Sequence, residues 1–429
     1  MTALKPDATL AAPTFASKVQ QIKTKAGLDV WLVEDYAVPL VALDFAFAGG
    51  ASQDPAGKEG TANMLSALLD EGAGAYDAEA FHKALDDRAV EISFSTDRDH
   101  FQGRMKTLTR HVDAAIDLLR LAVNEPHLAQ DALERMRAQM VAGLRRDIKD
   151  PDVLAARAWR KLAFPNHPYG RPTQGSLDSV PLITRDDVVT IARNIMTRQN
   201  LKIAAVGAID AAKLSTLVDL VFGQLPATGQ LVPVPDVEMQ SLGHREIIDV
   251  DVPQSTIRFG LPGIGRTDKD YPAAIVVNHI LGGGVFSARL FKEVREKRGL
   301  AYSVSSQLST SDHTSTFSGG TSTKNERAGE SLSVVEGEIA QMAADGPTAE
   351  ELDKAKKYLT GSYALRFDSS TKIASQLVHL QTEGLPLAFL DERNVEIEAV
   401  TLDDAKRVAK RLFDGKKLLV SIAGRPAGL

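Results

Sequence analysis

The chain has 429 residues, 44% hydrophobic and 25% charged, with a formal net charge of −6. This composition excludes a disordered or fibrous chain, and at ~100–200 residues per domain it predicts two to four domains. The acid excess argues against an extended nucleic-acid surface, and the absence of cysteine excludes disulfides, thiolate metal sites and a cysteine nucleophile.

No apolar run reaches the ~18–20 residues of a membrane-spanning helix. The opening MTALKPDATLAAPTFASKVQ lacks both a basic start and an apolar core, so no export signal is expected there. In chain order, strand-like text covers 28–33 and 38–48, followed by a helix over 60–69. More strand-like text runs over 89–105, and long helices are expected at 110–123 and 128–149. The stretch 183–207 begins with Thr184 as an N-cap and acids in the first turn. An amphipathic helix and a short β run ending at Gly207 complete it. Residues 225–243, rich in Pro and Gly, read as a linker.

Beyond the linker the order returns. Strands are expected at 245–250 and 255–261, a helix at 270–281, and a flexible Gly-rich loop at 281–284. A basic amphipathic helix should start at 287 and stop at Gly299. Strands around 302–320 and helices at 326–344 and 348–366 follow. Residues 400–424 then align without a gap on 183–207. Thr184, Asp186, Asp187, Ala192, Leu201 and Gly207 fall on Thr401, Asp403, Asp404, Ala409, Leu418 and Gly424. A weaker match joins 132–144 to 350–362. A match in cap, helix and strand together points to a duplicated chain. The expected domains are 1–224 and 244–429, joined by 225–243. The fold class is α+β, each half a largely antiparallel sheet with helices packed against it.

The chemistry visible in single residues is sparse. None of the nine histidines pairs at the i, i+4 spacing that puts two imidazoles on one helix face. His167, in PNHPYG, reads as a structural turn residue. The LGGG run lacks the Lys-Ser/Thr of a phosphate loop. On spacing alone, Arg295 is a solvated helix charge and Tyr302 a half-buried strand aromatic.

Two stretches carry a resemblance. LGGGVFSARLFKEVREKRGLAYSV in the second half, and AFAGGASQDPAGKEGTANMLSALLDEGAGAYDAEAF in the first, resemble the M16 metallopeptidases, the insulinase, pitrilysin and mitochondrial-processing-peptidase family. The resemblance covers nearly the whole chain and implies two like α+β domains. The second stretch lies where that family carries its His-x-x-Glu-His zinc motif. On that alignment the two zinc histidines are replaced by Asn63 and Ala67, the general-base glutamate by Ser66, and the third ligand by Gly143. Metal-activated water needs the metal and a carboxylate to accept the proton, and these four positions offer neither. The second-half pair that binds the substrate carbonyl in active relatives maps to Arg295 and Tyr302.

The resemblance therefore implies the non-catalytic subunit of a heterodimeric zinc peptidase of the two-subunit bacterial branch. Zinc would reside in a partner chain carrying His-x-x-Glu-His. Arg295 and Tyr302 would reach into the partner's site, and the inner surfaces would hold extended peptide by strand addition. The alternative is a homodimeric peptide-binding or scaffold protein without peptidase activity. The chain alone is expected to be inactive and to need no cofactor of its own. A periplasmic location is expected, with the cytoplasm as the alternative.

Overall fold

The computed structural model describes residues 15–429, so most of the opening segment read above for an export signal lies outside the described residues. The first half runs β1 (Val19–Lys23), β2 (Asp29–Glu34), β3 (Leu40–Ala48), α1 (Thr61–Ser66), α2 (Ala78–Asp86), β4 (Glu91–Thr96) and β5 (His100–Leu108). It continues with α3 (Val112–Asn124), α4 (Gln130–Asp147), α5 (Pro151–Ala163), α6 (Arg185–Ile195), β6 (Leu201–Gly207) and α7 (Ala211–Phe222). The second half runs β7 (Arg245–Asp249), β8 (Gln254–Pro262), α8 (Tyr271–Asn278), β9 (Ala301–Ser311) and β10 (Thr314–Lys324). It closes with α9 (Ala328–Asp345), α10 (Ala349–Gly361), α11 (Ser370–Thr382), α12 (Phe389–Ala399), α13 (Leu402–Phe413) and β11 (Leu419–Gly424).

The duplication is visible in the strand order. One sheet runs β1-β2-β6-β3-β5-β4 and the other β7-β11-β8-β10-β9. Without β1 the two orders coincide strand for strand. Only the β2–β6 and β7–β11 pairs are parallel; the other neighbours are antiparallel. The repeated sequence motif repeats in atoms. Thr184 and Asp187 close a capping box on α6, and Thr401 and Asp404 close the same box on α13. β6 and β11 both end on a glycine at left-handed φ, Gly207 at 143° and Gly424 at 145°. A Cβ at Gly207 would fall 2.0 Å from the Leu40 carbonyl oxygen, so the close approach of the next strand requires glycine.

Several elements differ from the sequence reading. The helix expected over 60–69 ends at Ser66; Leu68 and Leu69, which extend its periodicity, are buried in the turns that follow. The strand text over 89–105 breaks into the β4–β5 hairpin. There the Asp97 carboxylate accepts from the N–H groups of Asp99 and His100, both at 2.8 Å. The 348–366 helix stops at Gly361 and tightens into a 3-10 turn over Ser362–Phe367. The segment at 281–284 is not an open loop. His279–Gly283 winds as a π turn, with Ile280 and Leu281 buried. The helix from 287 is likewise π-wound over Phe291–Glu296 before stopping at Gly299, φ 58°. Residues 225–243 form no helix or strand, yet they are tied down by Val237 N–H to the His313 carbonyl (2.9 Å) and Gln240 N–H to the Ala163 carbonyl (2.8 Å).

Each half covers one sheet face with its own helices. Val41, Leu43, Phe45 and Phe47 of β3 face one core, and Ile257, Phe259 and Leu261 of β8 face the other. The opposite faces are covered by exchange. Helix α11, from the second half, lies on the first sheet, where Ile373, Ala374, Leu377 and Val378 pack against Ala42, Ala46, Ala204 and Val206. Helix α5, from the first half, lies on the second sheet. Its Trp159 donates Nε1–H to the Leu419 carbonyl at 3.2 Å, and Ser421 donates to the Ala155 carbonyl at 2.7 Å. Gly260 admits the indole: a Cβ there would stand 2.5 Å from Trp159 Cζ2.

Because the exchange couples the halves, thermal unfolding should be a single cooperative transition. Trp159→Ala should cost roughly 3–5 kcal/mol, as for other buried aromatics. Calorimetry checks both; two separate transitions in the wild-type chain would show that the exchanged helices do not couple the halves.

Candidate functional site

Helix α1 carries two of the four zinc-motif positions, Asn63 and Ser66, and Ala67 is its C-cap. Its N-terminus is held by Asp54, a nearly buried side chain whose two oxygens accept from the N–H groups of Gly60 (2.7 Å) and Ala62 (2.8 Å). Burial outweighs these donors and pushes the Asp54 carboxyl up to about 7. Asn63 on α1 and Ala67 just after it are half-buried, and Ser66 turns its hydroxyl back to the Asn63 carbonyl at 2.8 Å. Gly143 sits on α4 with open space where a side chain would project. These four residues do not fit a zinc ion: one amide and one internally bonded hydroxyl are their side-chain donors, and Ala67 and Gly143 have none. Among the described residues, no three His, Asp or Glu side chains converge where a metal could sit.

Arg295 and Tyr302 are brought together. The Arg295 Cζ lies 4.4 Å from the Tyr302 ring centroid and 4.9 Å from that of Phe291. Phe286 meets Phe291 edge to face at 5.1 Å. The result is a series of stacked groups whose ends are exposed, Phe286 at 70% and Tyr302 at 81%, while Phe291 between them is buried. Tyr302 is thus not the half-buried aromatic that bare spacing suggests. Two backbone devices place the pair. Arg295 sits on the π turn, and Tyr302 sits at a β-bulge in β9. Thr321 pairs with Val304 and Thr323 with Ala301, so Tyr302 and Ser303 together oppose Ser322. A bulge bends the strand and re-aims side chains, and both Tyr302 and Ser303 point outward. Neither the Arg295 guanidinium nor the Tyr302 hydroxyl makes a hydrogen bond or ion pair among the described residues. β9 is an edge strand, so one side of its backbone has no neighbouring strand, and the Ser306 carbonyl accepts from Asn278 Nδ2 at 3.4 Å.

A second feature lies at the seam of the two halves, where the hairpin tips meet. Tyr169 donates to Asp99 Oδ1 at 2.6 Å and accepts from His313 N–H at 3.2 Å, while Asp312 N–H reaches Asp99 Oδ2 at 3.3 Å. His167 caps this corner structurally, as its turn motif suggests: its Nδ1 accepts from Tyr169 N–H (3.1 Å), leaving Nε2–H for the Pro235 carbonyl (2.9 Å). Beside the tips is a cavity of about 850 Å³ between the β4–β5 hairpin and α11. Asp44, Gln102 and Arg104 line it from the sheet, Asp312 from the second hairpin, and Arg366 and His379 from around α11. Burial pushes the Asp44 carboxyl up to about 6, although Arg104 draws it down. Sequence reading missed this cavity because α11 itself was not foreseen. Extending the gapless repeat upstream from α13 to the counterpart of α5 could have found it.

Comparison with known sequences adds the family. The profile described as "Insulinase (Peptidase family M16)" matches residues 30–175, and that described as "Peptidase M16 inactive domain" matches 182–359, together more than half of the chain. The chain belongs to peptidase family M16. Among its M16 relatives, the "non-peptidase homolog YmxG" of Helicobacter pylori is 27% identical over 381 residues, covering 89% of this chain and 88% of the relative. An "uncharacterized zinc protease" of Streptomyces coelicolor is 27% identical over 386 residues, covering 89% and 83%. The crystal structure of a "peptidase M16 inactive domain" from Pseudomonas fluorescens superposes with a TM-score of 0.90 at 28% identity, covering 95% of this chain and 98% of that one. This M16 chain also has no helix among its described residues long and apolar enough to cross a membrane.

The cap on α1 makes a pH prediction. The folded Asp54 pKa lies above the ordinary 3.8. Its contribution is therefore complete below about pH 4 and lost as pH rises through about 7. Relative to Asp54→Asn, which does not titrate, the wild-type chain should lose roughly 1.4 kcal/mol per pH unit across that window. Denaturant melts at pH 5 and pH 8 measure the difference; a gap independent of pH would place the carboxylate in its ionised form throughout.

Proposed function

We propose that this chain is the non-catalytic member of a two-chain M16 zinc peptidase. It holds extended peptide and presents Arg295 and Tyr302 to the active site of a partner that carries His-x-x-Glu-His and the zinc. The observation that carries this reading is the asymmetry between the halves. The zinc-motif positions hold Asn63, Ser66, Ala67 and Gly143, while Arg295 and Tyr302 stand stacked and unpaired at an open sheet edge. A guanidinium and a phenol both donate hydrogen bonds without losing a proton first. Donors of this kind, aimed at a developing oxyanion, are worth about 3–4 kcal/mol each in a transition state. The open edge of β9 suits a peptide backbone, which pairs through its own N–H and C=O groups and leaves side chains to secondary selection.

In this reading the chain's own residues orient the substrate and neutralise charge on its carbonyl oxygen. The proton transfers and the attacking water belong to the partner. A homodimeric peptide binder is the competing outcome, and the tests separate the two.

Tagged chain isolated from its native host should return a His-x-x-Glu-His chain in about equal amount by mass spectrometry; return of this chain with itself alone favours the homodimer. In the mixed complex, Arg295→Ala or Tyr302→Phe should lower turnover by about 10²-fold, the scale of losing one oxyanion donor, with assembly unchanged. Full turnover in both variants would remove the proposed role of the pair. The isolated chain, dialysed against zinc and assayed by atomic absorption, should hold well under one equivalent; stoichiometric zinc with chelator-sensitive peptide cleavage would make it a peptidase in its own right.

A further inference from the structure

Behind α11 the chain gathers three arginines that have no carboxylate. Arg266 follows β8, Arg366 lies in the 3-10 turn before α11, and Arg393 lies on α12. Each is stacked on aromatic rings. Arg266 lies 4.8 Å from the centroids of both Tyr271 and Phe389, Arg393 4.4 Å from Tyr363, and Arg366 6.0 Å from the same Tyr363. Arg366 and Arg393 thus flank one ring.

Other guanidinium groups of the second half do close on carboxylates. Arg289 meets Glu351 at 2.6 Å, and Arg407 and Arg411 meet Asp270 at 2.8 and 2.6 Å. In the cluster none of the three makes an ion pair among the described residues. Arg393 is buried and donates to neutral oxygens, the Leu359 carbonyl (2.9 Å) and the Asn394 side chain (2.8 Å). The Arg266 Nε–H is buried with no acceptor. Glu383 and Asp391 lie in electrostatic range, but neither closes on a guanidinium. Burial first, and then the charges of Arg266 and Arg366, hold the His379 imidazole below its ordinary range, so His379 is disfavoured as a further cation on this wall.

Gathering three cations in a chain of net charge −6 has a cost that stacking only partly offsets. Stacking satisfies the faces of a guanidinium and leaves its in-plane N–H donors free, in a fork that matches a carboxylate. Those donors have somewhere to point. Arg366 lines the 850 Å³ cavity, and Arg266 lines an adjoining one of about 520 Å³. The two cavities share Thr310, Ser311, Asp312, Thr382 and Glu383.

We propose that Arg366 and Arg266, backed by the buried Arg393, form a carboxylate-binding site in the seam between the halves. It anchors a carboxylate of the held peptide, either its C-terminus or an acidic side chain. The proposal rests on the peptide-holding reading above. It adds a polarity to that reading, because a peptide fixed by one carboxylate is held at a defined point along its length.

The test uses the full chain and three fluorescein-labelled peptides of one neutral sequence, read by anisotropy. One ends in a free carboxylate, one in an amide, and one in an amide with Glu as its last residue. The free acid or the Glu amide should bind about tenfold more tightly than the neutral amide, and whichever does identifies the source of the carboxylate. Arg366→Gln, an exposed position that the fold does not need, should abolish the difference, and Arg266→Gln should do the same. Equal binding of all three peptides overturns the carboxylate site and leaves the peptide-holding reading standing. A preference that survives both substitutions also overturns the site. Failure of all three to bind overturns the peptide-holding reading itself.

Discussion

The exchange of α5 and α11 between the halves decides which part of each sheet is dry. A sheet with helices on one face leaves its other face to find cover. Here each half lends a helix to its neighbour, and the lent helix covers only the inner strands. On the first sheet α11 dries Ala42, Ala46, Ala204 and Val206. On the same face, toward the edge, Asp44 pairs with Arg104, and Arg104 in turn faces Ser93. On the second sheet α5 covers Leu419 and Gly260. Beyond it, Ser305, Gln307 and Ser309 oppose Gly320, Ser318 and Thr316. Apolar cover in the middle and polar, uncovered strands at the edge follow from one packing choice, and the seam cavity is the space that choice leaves.

The two halves share a backbone and have diverged in what it carries. In the first, α1 is fixed by the Asp54 carboxyl on its N-terminal amides, a cap that works without metal. The helix can therefore keep its place while its outward positions hold Asn63 and Ala67. In the second, a π turn and a bulge place the side chains, and both are departures from regular geometry.

How much of this was legible in the chain depends on how local its cause is. The Thr184 and Thr401 caps, the helices after them and the strands ending at Gly207 and Gly424 were readable, because each signal lies within a few residues of the structure it fixes. The identical strand order followed from the repeat. The exchange was not readable. The apolar face of α5 or α11 says that the helix is covered, not by which sheet, and Trp159 meets Leu419 across the whole intervening chain. The π winding and the bulge escaped for a related reason. Each inserts one residue into a regular period, and the pattern on either side still reads as helix or strand. The arginines 266, 366 and 393 share no sequence period at all; only the fold collects them, bringing Arg393 of α12 to the Tyr363 ring beside Arg366 and Phe389 of α12 to Arg266.

The Arg295–Tyr302 stack contributes little to holding the fold together. An exposed cation–π contact is worth about 0.5–1 kcal/mol, and Tyr302 is 81% exposed with its hydroxyl unbonded. Core contacts such as those of Trp159 or Phe45 outweigh it several-fold. Yet a bulge and a π turn are both spent on bringing these two side chains to the open edge of β9, and the strand there forgoes a regular ladder. A stack that contributes little to the fold, held by irregular backbone, is what the proposed contact with a substrate from outside would require. Its free donors are five guanidinium N–H groups and one phenol O–H, so what they suit is an oxygen-rich, uncharged or anionic group such as a peptide carbonyl, presented along the one strand edge beside them.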